Sequence, residues 1–85
     1  MSARTPTWER EPGHQMRFRR TTHTMRITIA RAPTVRGEWH VSCRECAIDY
    51  AEIDRSAEMS VEAVQAAALA IVRERLAEMT SEVST

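Results

Sequence analysis

The chain contains no lysine, and this absence is its most unusual compositional feature. All twelve of its basic residues are arginine, and only two glycines and three prolines occur in its 85 residues. So few glycines leave little material for a backbone loop that cradles phosphate groups, which disfavours the common nucleotide-binding loops. The arginine bias, together with many alanines and valines, indicates a GC-rich coding genome.

Aromatic residues and long apolar runs are also scarce. The four aromatic residues are Trp8, Phe18, Trp39 and Tyr50. A chain of this length buries about 60–65% of its unfolded surface, so the core must be small. The longest apolar run, from Ala66 to Val72, is much shorter than the roughly 20 residues that span a bilayer. We therefore expect a cytoplasmic protein with one domain, no membrane segment and no enzymatic cleft.

Net charge is absent from the whole chain but not from its two parts. Residues 1–36 carry eight arginines and two acidic residues, a net charge of +6, whereas residues 37–85 carry four arginines and ten acidic residues, a net charge of −6. This asymmetry predicts either a basic arm that contacts a polyanion, or two regions that attract one another within a chain or between chains.

Residues 1–23 are predicted to form a flexible basic tail. The first fourteen residues include Pro6, Pro12 and Gly13 and show no apolar period, which is typical of an unstructured segment. A single folded domain is predicted over residues 24–80, and residues 81–85 are predicted to be a frayed end.

Alternating apolar residues predict the strands of a small sheet. Met25, Ile27 and Ile29 alternate with polar or small residues over residues 24–31, as expected for a half-buried strand. Residues 38–43 alternate in the same way around Trp39 and Val41. The loop from Ala32 to Gly37 between these segments has a length typical of a hairpin.

Two further segments are weaker strand candidates. Residues 16–20 alternate Met16 and Phe18 with arginines and are a candidate extension of the first strand. Residues 47–53 are a candidate third strand, in which Ile48 and Tyr50 are predicted to lie on one face.

The segment from Val61 to Met79 is predicted to be a helix, with Ser60 as its N-cap and Glu62 in its first turn. One apolar arc of this helix must cover the sheet. Its members are Val61, Val64, Ala68, Ile71, Val72, Leu76 and Met79. The order of elements, β-β-(β)-α, predicts an α+β fold with an antiparallel sheet of two or three strands packed on one long C-terminal helix.

The helix also carries a set of alanines that we take as candidate partner-binding residues. This set comprises Ala63, Ala66, Ala67 and Ala70. Small side chains permit the close approach of a second element, although alanine is also the best helix former.

Cys43 and Cys46 have the spacing of a zinc knuckle and of a redox dithiol. The second ligand pair of a structural zinc site is missing downstream, so zinc binding, a redox role and two thiols packed in the core stay open as interpretations. If residues 38–43 form a strand, His40 and Cys43 project to opposite faces. This geometry disfavours a Cys-His nucleophilic dyad and a zinc site that includes His40.

A cluster of arginines around Phe18 is a candidate nucleic-acid-binding site. Its members are Arg17, Phe18, Arg19, Arg20 and Arg26. Arginines can hold phosphates while an aromatic ring stacks on a base. The alternative is a cationic edge strand whose charges prevent aggregation between sheets.

The segment from Trp39 to Cys46, followed by residues 60–67, resembles the strand and helix of HicB-like antitoxin domains. The resemblance implies a three-stranded sheet crossed by one helix, and a function in binding a small toxin protein. The same residues are similar to small zinc-ribbon-like proteins of actinobacteria and their phages. Because the helix of this chain lacks the histidine ligands of those proteins, this resemblance implies zinc ligation only by Cys43 and Cys46.

These features together predict a small non-enzymatic regulatory or host-interaction protein of phage or mobile-element origin. It is expected to act by protein–protein contact as a homodimer, without a required cofactor. The alternative prediction is a zinc-stabilised nucleic-acid-binding module that uses Cys43, Cys46 and the arginine cluster.

Overall fold

The computed structural model describes residues 7–31 and 37–84. Residues 1–6 of the predicted tail, residues 32–36 of the predicted hairpin loop, and residue 85 lie outside the described residues. The described chain forms a five-stranded antiparallel sheet and one C-terminal helix. The strands are β1 Glu9–Arg10, β2 Arg17–Thr21, β3 Arg26–Arg31, β4 Trp39–Cys43 and β5 Ile48–Glu52, and the helix α1 is Val61–Ser84. Two 3₁₀ helices, Arg44–Cys46 and Ser56–Glu58, flank β5.

The prediction of an α+β fold is correct, but the prediction of a sheet with two or three strands is wrong. In the described residues the strands follow the order β1-β2-β3-β4-β5, each antiparallel to the next. The additional strands β1 and β2 lie within the segment predicted as a tail. β1 has two residues, too few to show an alternating pattern, and β2 carries arginine on both faces, which hides its period.

β2 belongs to the sheet because Phe18 contributes to the core. Phe18 pairs with Ile29 of β3 and is only 8% exposed. Its ring centroid lies 6.1 Å from that of Trp39, at an interplanar angle of 39°. Aromatic pairs of this kind add to the stability that their buried area provides. Phe18 therefore anchors this arginine-rich strand to the core, while the backbone of β2 pairs with β3 over five residues.

β5 is the predicted third strand, but a bulge changes the direction of its side chains. Cys43 pairs with Ile48 and Val41 pairs with Ala51, so two residues of β5 lie opposite Ser42. The second of them, Tyr50, has a φ of 52°. An extra residue in one strand interrupts the regular alternation of side chains. Ile48 is therefore buried and Tyr50 is exposed, and the prediction that both lie on one face is wrong.

α1 covers one face of the sheet and begins where the sequence predicts. The Ser60 Oγ accepts the backbone N–H of Ala63 at 3.1 Å, which is the hydrogen bond of an N-cap. Val64, Ala68 and Val72 are buried and belong to one core cluster with the apolar residues of β2 to β5. The helix continues past the predicted end at Met79 as far as Ser84.

A buried hydroxyl connects β4 to the segment that leads into α1. Ser56 has no exposed surface, and its Oγ accepts the backbone N–H of Trp39 at 2.6 Å. The hydroxyl donates to Glu38 Oε2 at 3.0 Å, and the same carboxylate oxygen accepts the Ala57 N–H at 3.2 Å. Because buried polar groups are costly when unpaired, this network fixes the point from which α1 crosses the sheet.

Candidate binding surfaces

The sheet has two faces with different surroundings. We call the face that packs against α1 the covered face and the opposite one the open face. In β4, Trp39, Val41 and Cys43 are buried on the covered face, whereas His40 and Ser42 are only partly buried and lie on the open face. His40 and Cys43 thus project to opposite faces, as the alternation of the strand predicts.

Cys43 and Cys46 are both fully buried, which makes them part of the core. Burial raises the pKa of the Cys43 thiol from its ordinary 9.0 to about 11, with a smaller contribution from a hydrogen bond with Cys46. Glu45 Oε1 lies 3.9 Å from the Cys43 Sγ. A thiol with a raised pKa is protonated at neutral pH, so Cys43 is a poor nucleophile and a poor metal ligand unless it is deprotonated.

The described residues offer these two cysteines no further metal ligands. In the part of the chain that the structure describes, no three side chains of the His, Cys, Asp or Glu type lie close enough together to hold one metal ion. A structural zinc ion takes four such ligands. Zinc binding by Cys43 and Cys46 therefore stays a prediction. The described chain supplies two of the four ligands that such a site needs.

The structure divides the predicted nucleic-acid-binding residues between the two faces. Arg17, Arg19 and Arg26 lie on the open face, because they alternate with buried residues of β2 and β3. Phe18 and Arg20 lie on the covered face, and the buried ring of Phe18 cannot stack on a base. The Arg10 guanidinium carbon lies 5.3 Å from the centre of the Phe18 ring.

Two rows of side chains cross the open face at right angles to the strands. Arg19, Thr28 and Ser42 form one row, and the second contains Arg17, Ala30, His40 and Glu52. The second row also includes an ion pair, because Arg17 Nε lies 3.0 Å from Glu11 Oε2. Glu9 pairs with Arg19 and extends the first row. Both rows therefore carry positive and negative groups, and the open face is polar.

Tyr50 is a functional candidate that sequence reasoning missed. Its ring is 60% exposed and lies 5.8 Å from the His40 ring, centroid to centroid. The Tyr50 backbone N–H donates to Ser42 Oγ at 3.2 Å. The alternating pattern predicts Tyr50 on the covered face, and no sequence signal reveals the bulge that turns it outward.

The predicted set of alanines on α1 does not form one uniform surface. Ala63, Ala66 and Ala70 are exposed, whereas Ala67 is half-buried and packs against the core. Small exposed side chains on a helix are also the expected result of helix propensity alone. These alanines stay a prediction without a contact that supports them.

The last twelve residues of α1 form a second surface of interest. α1 contains 24 residues, which corresponds to a length of about 36 Å. None of its side chains from Arg73 to Val83 is buried, and Val83 is 88% exposed. Leu76 and Met79 are half-buried and, with Thr80 and Val83, line a shallow groove of about 300 Å³. Leu76 and Met79 pack in part against the core cluster, and the exposed part of their surface forms an apolar groove with Val83.

Comparisons with known proteins leave the family open. No family model matches the chain, and neither a curated protein nor a solved structure matches it. The resemblances to HicB-like domains and to zinc-ribbon-like proteins therefore stay predictions. In the described ranges, no helix combines the length and the hydropathy that crossing a membrane requires.

Proposed function

We propose that this chain is a non-enzymatic binding protein that acts by protein–protein contact and forms a homodimer through residues 73–84 of α1. The observation that carries the proposal is the apolar groove of Leu76, Met79 and Val83, which continues the sheet-facing side of α1 past the buried Val72. A helix face of this kind is expected to need a second surface against it.

The length of the uncovered segment supports this proposal. Isolated helices shorter than about 12–15 residues are marginally stable in water. Residues 73–83 have no fully buried side chain, so their helical state depends in part on the preceding turns. Leu76 and Met79 pack in part against the core cluster, and a second helix would cover the part of their surface that stays exposed.

The spacing of the apolar residues favours another helix as the occupant of the groove. Leu69, Leu76 and Val83 recur at intervals of seven residues, and so do Val72 and Met79. Two such series, offset by three residues, correspond to the a and d positions of a heptad repeat, in which two helices pack side by side. The same helix of a second copy meets this requirement.

The charges beside the groove favour an antiparallel arrangement of the two copies. With Leu76 beside Met79 of the second copy, a twofold axis also places Met79 beside Leu76 of that copy. In this register Arg75 faces Glu82 of the second copy, twice per dimer, because both occupy positions that flank the apolar seam. A parallel pair places Arg75 near the uncharged Thr80 instead.

Sedimentation equilibrium of Leu76→Glu tests the proposal. We expect the wild-type protein to be dimeric and the variant to dissociate with a Kd raised at least about thirtyfold, because a buried interface anchor contributes about 2 kcal/mol or more. Ala77→Glu is the matched control, since it adds the same charge one residue further along, outside the groove. A monomeric wild type, or a Leu76→Glu variant as dimeric as the control, would contradict the proposal.

Charge reversal tests the antiparallel register separately. Arg75→Glu and Glu82→Arg are each expected to weaken the dimer, and the double variant is expected to recover most of the loss, as coupled pairs do in double-mutant cycles. If the double variant is as weak as the sum of the single variants, the register is wrong even where the dimer itself exists.

A further inference from the structure

A hollow at one end of the open face brings together two arginines and two hydroxyl groups. Its volume is about 340 Å³, and it is lined by Arg26, Thr28, Ser42, Arg44 and Glu45. Arg26 begins β3 and Arg44 follows β4, and both residues border the same hollow because these strands are antiparallel neighbours. Guanidinium groups bind phosphate oxygens with paired hydrogen bonds, and hydroxyl groups can add single ones.

Glu45 is the acidic member of this lining, and its carboxylate is already engaged by the backbone. Its Oε1 accepts the Arg26 N–H at 3.0 Å, and this hydrogen bond is the main cause that lowers the pKa of the Glu45 carboxyl. No ion pair joins Glu45 to the guanidinium of Arg26 or Arg44 in the described chain. The two guanidiniums are therefore available to a ligand.

Tyr50 lies on the same face as this hollow and has an unusual conformation, but it lines a separate hollow with Arg17, Ala30 and Arg31. Its backbone N–H binds Ser42 Oγ, and its φ of 52° is in the left-handed region that residues other than glycine seldom adopt. An observed backbone outlier of this kind is a reason to look for a function. Its consequence here is an aromatic ring, 60% exposed, on the same face as the arginines.

We propose that the open face binds single-stranded nucleic acid along its length, with phosphates held by Arg26 and Arg44 at one end and a base stacked on Tyr50 toward the other end. An aromatic ring offers nothing to a simple anion, but it stacks on any base whose face is accessible. In a double helix the bases are stacked on one another, which keeps their faces from such a ring. A single strand is therefore the ligand that uses both the charges and the ring.

The neighbouring charges predict a local and moderate interaction. Arg19 is in the same row as Thr28 and Ser42 and provides a third contact for phosphate. The chain has no net charge, Glu9 pairs with Arg19 in the same row, and Glu45 lines the hollow itself, so the excess of positive charge is small. For three neutralised phosphates on a single strand, we expect the logarithm of the affinity to fall against the logarithm of the salt concentration with a slope of about −2.

Fluorescence anisotropy with a labelled oligouridylate tests the phosphate contacts. An oligonucleotide of about ten nucleotides matches the site sizes of sheet surfaces that bind single strands, and the titration is repeated between about 50 and 200 mM salt. Arg44→Ser is expected to weaken binding about tenfold and to reduce the salt slope by about 0.7, the share of one phosphate contact on a single strand. Arg55→Asn, which removes the same charge from an exposed loop position outside both proposed surfaces and tolerates the left-handed φ of 59°, is the matched control. Absence of saturable binding, or an equal loss in the control, would overturn the proposal.

Two substitutions at Tyr50 test the stacking contact. Tyr50→Asn removes the ring and tolerates the left-handed conformation, so its thermal midpoint is expected to be no lower than that of the wild type. We expect this variant to bind the oligouridylate at least about fivefold more weakly, and Tyr50→Phe, which keeps the ring, to bind like the wild type. Equal binding by Tyr50→Asn and the wild type would contradict stacking. Displacement by inorganic phosphate, at the concentration of the oligonucleotide's own phosphates, would indicate a simple anion site and overturn the proposal.

Discussion

The two halves of α1 belong to one continuous helix but have different surroundings. Residues 61–72 include one charged residue, Glu62, and bury Val64, Ala68 and Val72 against the sheet. Residues 73–84 include five charged residues and bury no described side chain. The first half therefore contributes to the fold of the single chain. In the second half, Leu76 and Met79 are only partly covered by the core and Val83 is exposed, which is the basis of the proposed dimer.

The largest expected effect comes from placing the same charge in each half. Ala68→Glu puts a carboxylate at a position with no exposed surface, and an unpaired buried charge is expected to cost more than about 4 kcal/mol. Because small domains have a net stability of only about 5–15 kcal/mol, much of that stability should be lost. Ala77→Glu should change the free energy of unfolding by no more than about 0.5 kcal/mol. Urea unfolding of both variants measures the difference, and similar losses in both would refute the distinction between the halves.

Removal of the Ser56 hydroxyl should disturb the segment that leads into the first half of α1. Ser56→Ala leaves the buried N–H of Trp39 unpaired and removes a hydrogen bond to the Glu38 carboxylate. We expect the free energy of unfolding to fall by about 2–3 kcal/mol, as measured by urea unfolding. If Ser56→Ala is as stable as the wild type, the hydroxyl does not anchor α1 to β4.

Alkaline pH should destabilise the fold, because the thiol of Cys43 is buried in the core. The pKa of Cys43 is raised from 9.0 to about 11 in the folded protein, so the folded state keeps a proton that the unfolded state releases. Stability is therefore expected to fall as the pH rises from about 9 to about 11, by on the order of 2 kcal/mol in total. Unfolding measured across this pH range should show the loss in the wild type. Cys43→Ala should show a smaller dependence on pH, and an unchanged dependence would exclude Cys43 as its source.

The smallest effect concerns the first turn of α1. Ser60→Ala removes the acceptor of the Ala63 N–H, and the loss of an N-cap usually costs about 1 kcal/mol. Thermal unfolding should show this decrease, whereas Glu74→Ala, at an exposed position of the second half, should have little effect. A larger loss from Glu74→Ala than from Ser60→Ala would reverse the expected order of the two halves.

The elements that could be predicted from the sequence are those whose own side chains alternate or recur regularly. Ile27 and Ile29 indicate β3, Trp39 and Val41 indicate β4, and Ser60 marks the start of α1. β2 escapes prediction as a full member of the sheet, because Phe18 is its only buried residue and arginines occupy both faces. The bulge at Tyr50 depends on the pairing of β4 with β5. The sequence pattern of β5 alone does not indicate this pairing.

Some residues of the candidate surfaces could also be predicted from the alternation of side chains. Arg17, Arg19 and Arg26 do share one face, as alternate positions on paired strands predict. Phe18 and Arg20 lie on the other face for the same reason. Arg44 was not predicted as part of this surface, because it follows β4 and only the pairing of β3 with β4 brings it beside Arg26. The heptad spacing in α1 is visible in the sequence, but which of its members the sheet covers is not.

Hydrogen exchange of the α1 backbone amides at several protein concentrations tests the central claim most directly. Amides of residues 61–72 should be protected equally at every concentration, because the sheet covers this half within one chain. Protection of residues 73–83 should increase with protein concentration as dimers form, since exchange reports local opening. Protection of residues 73–83 that is independent of concentration, or absent even at the highest concentration, would contradict the claim that a second copy covers this half of the helix.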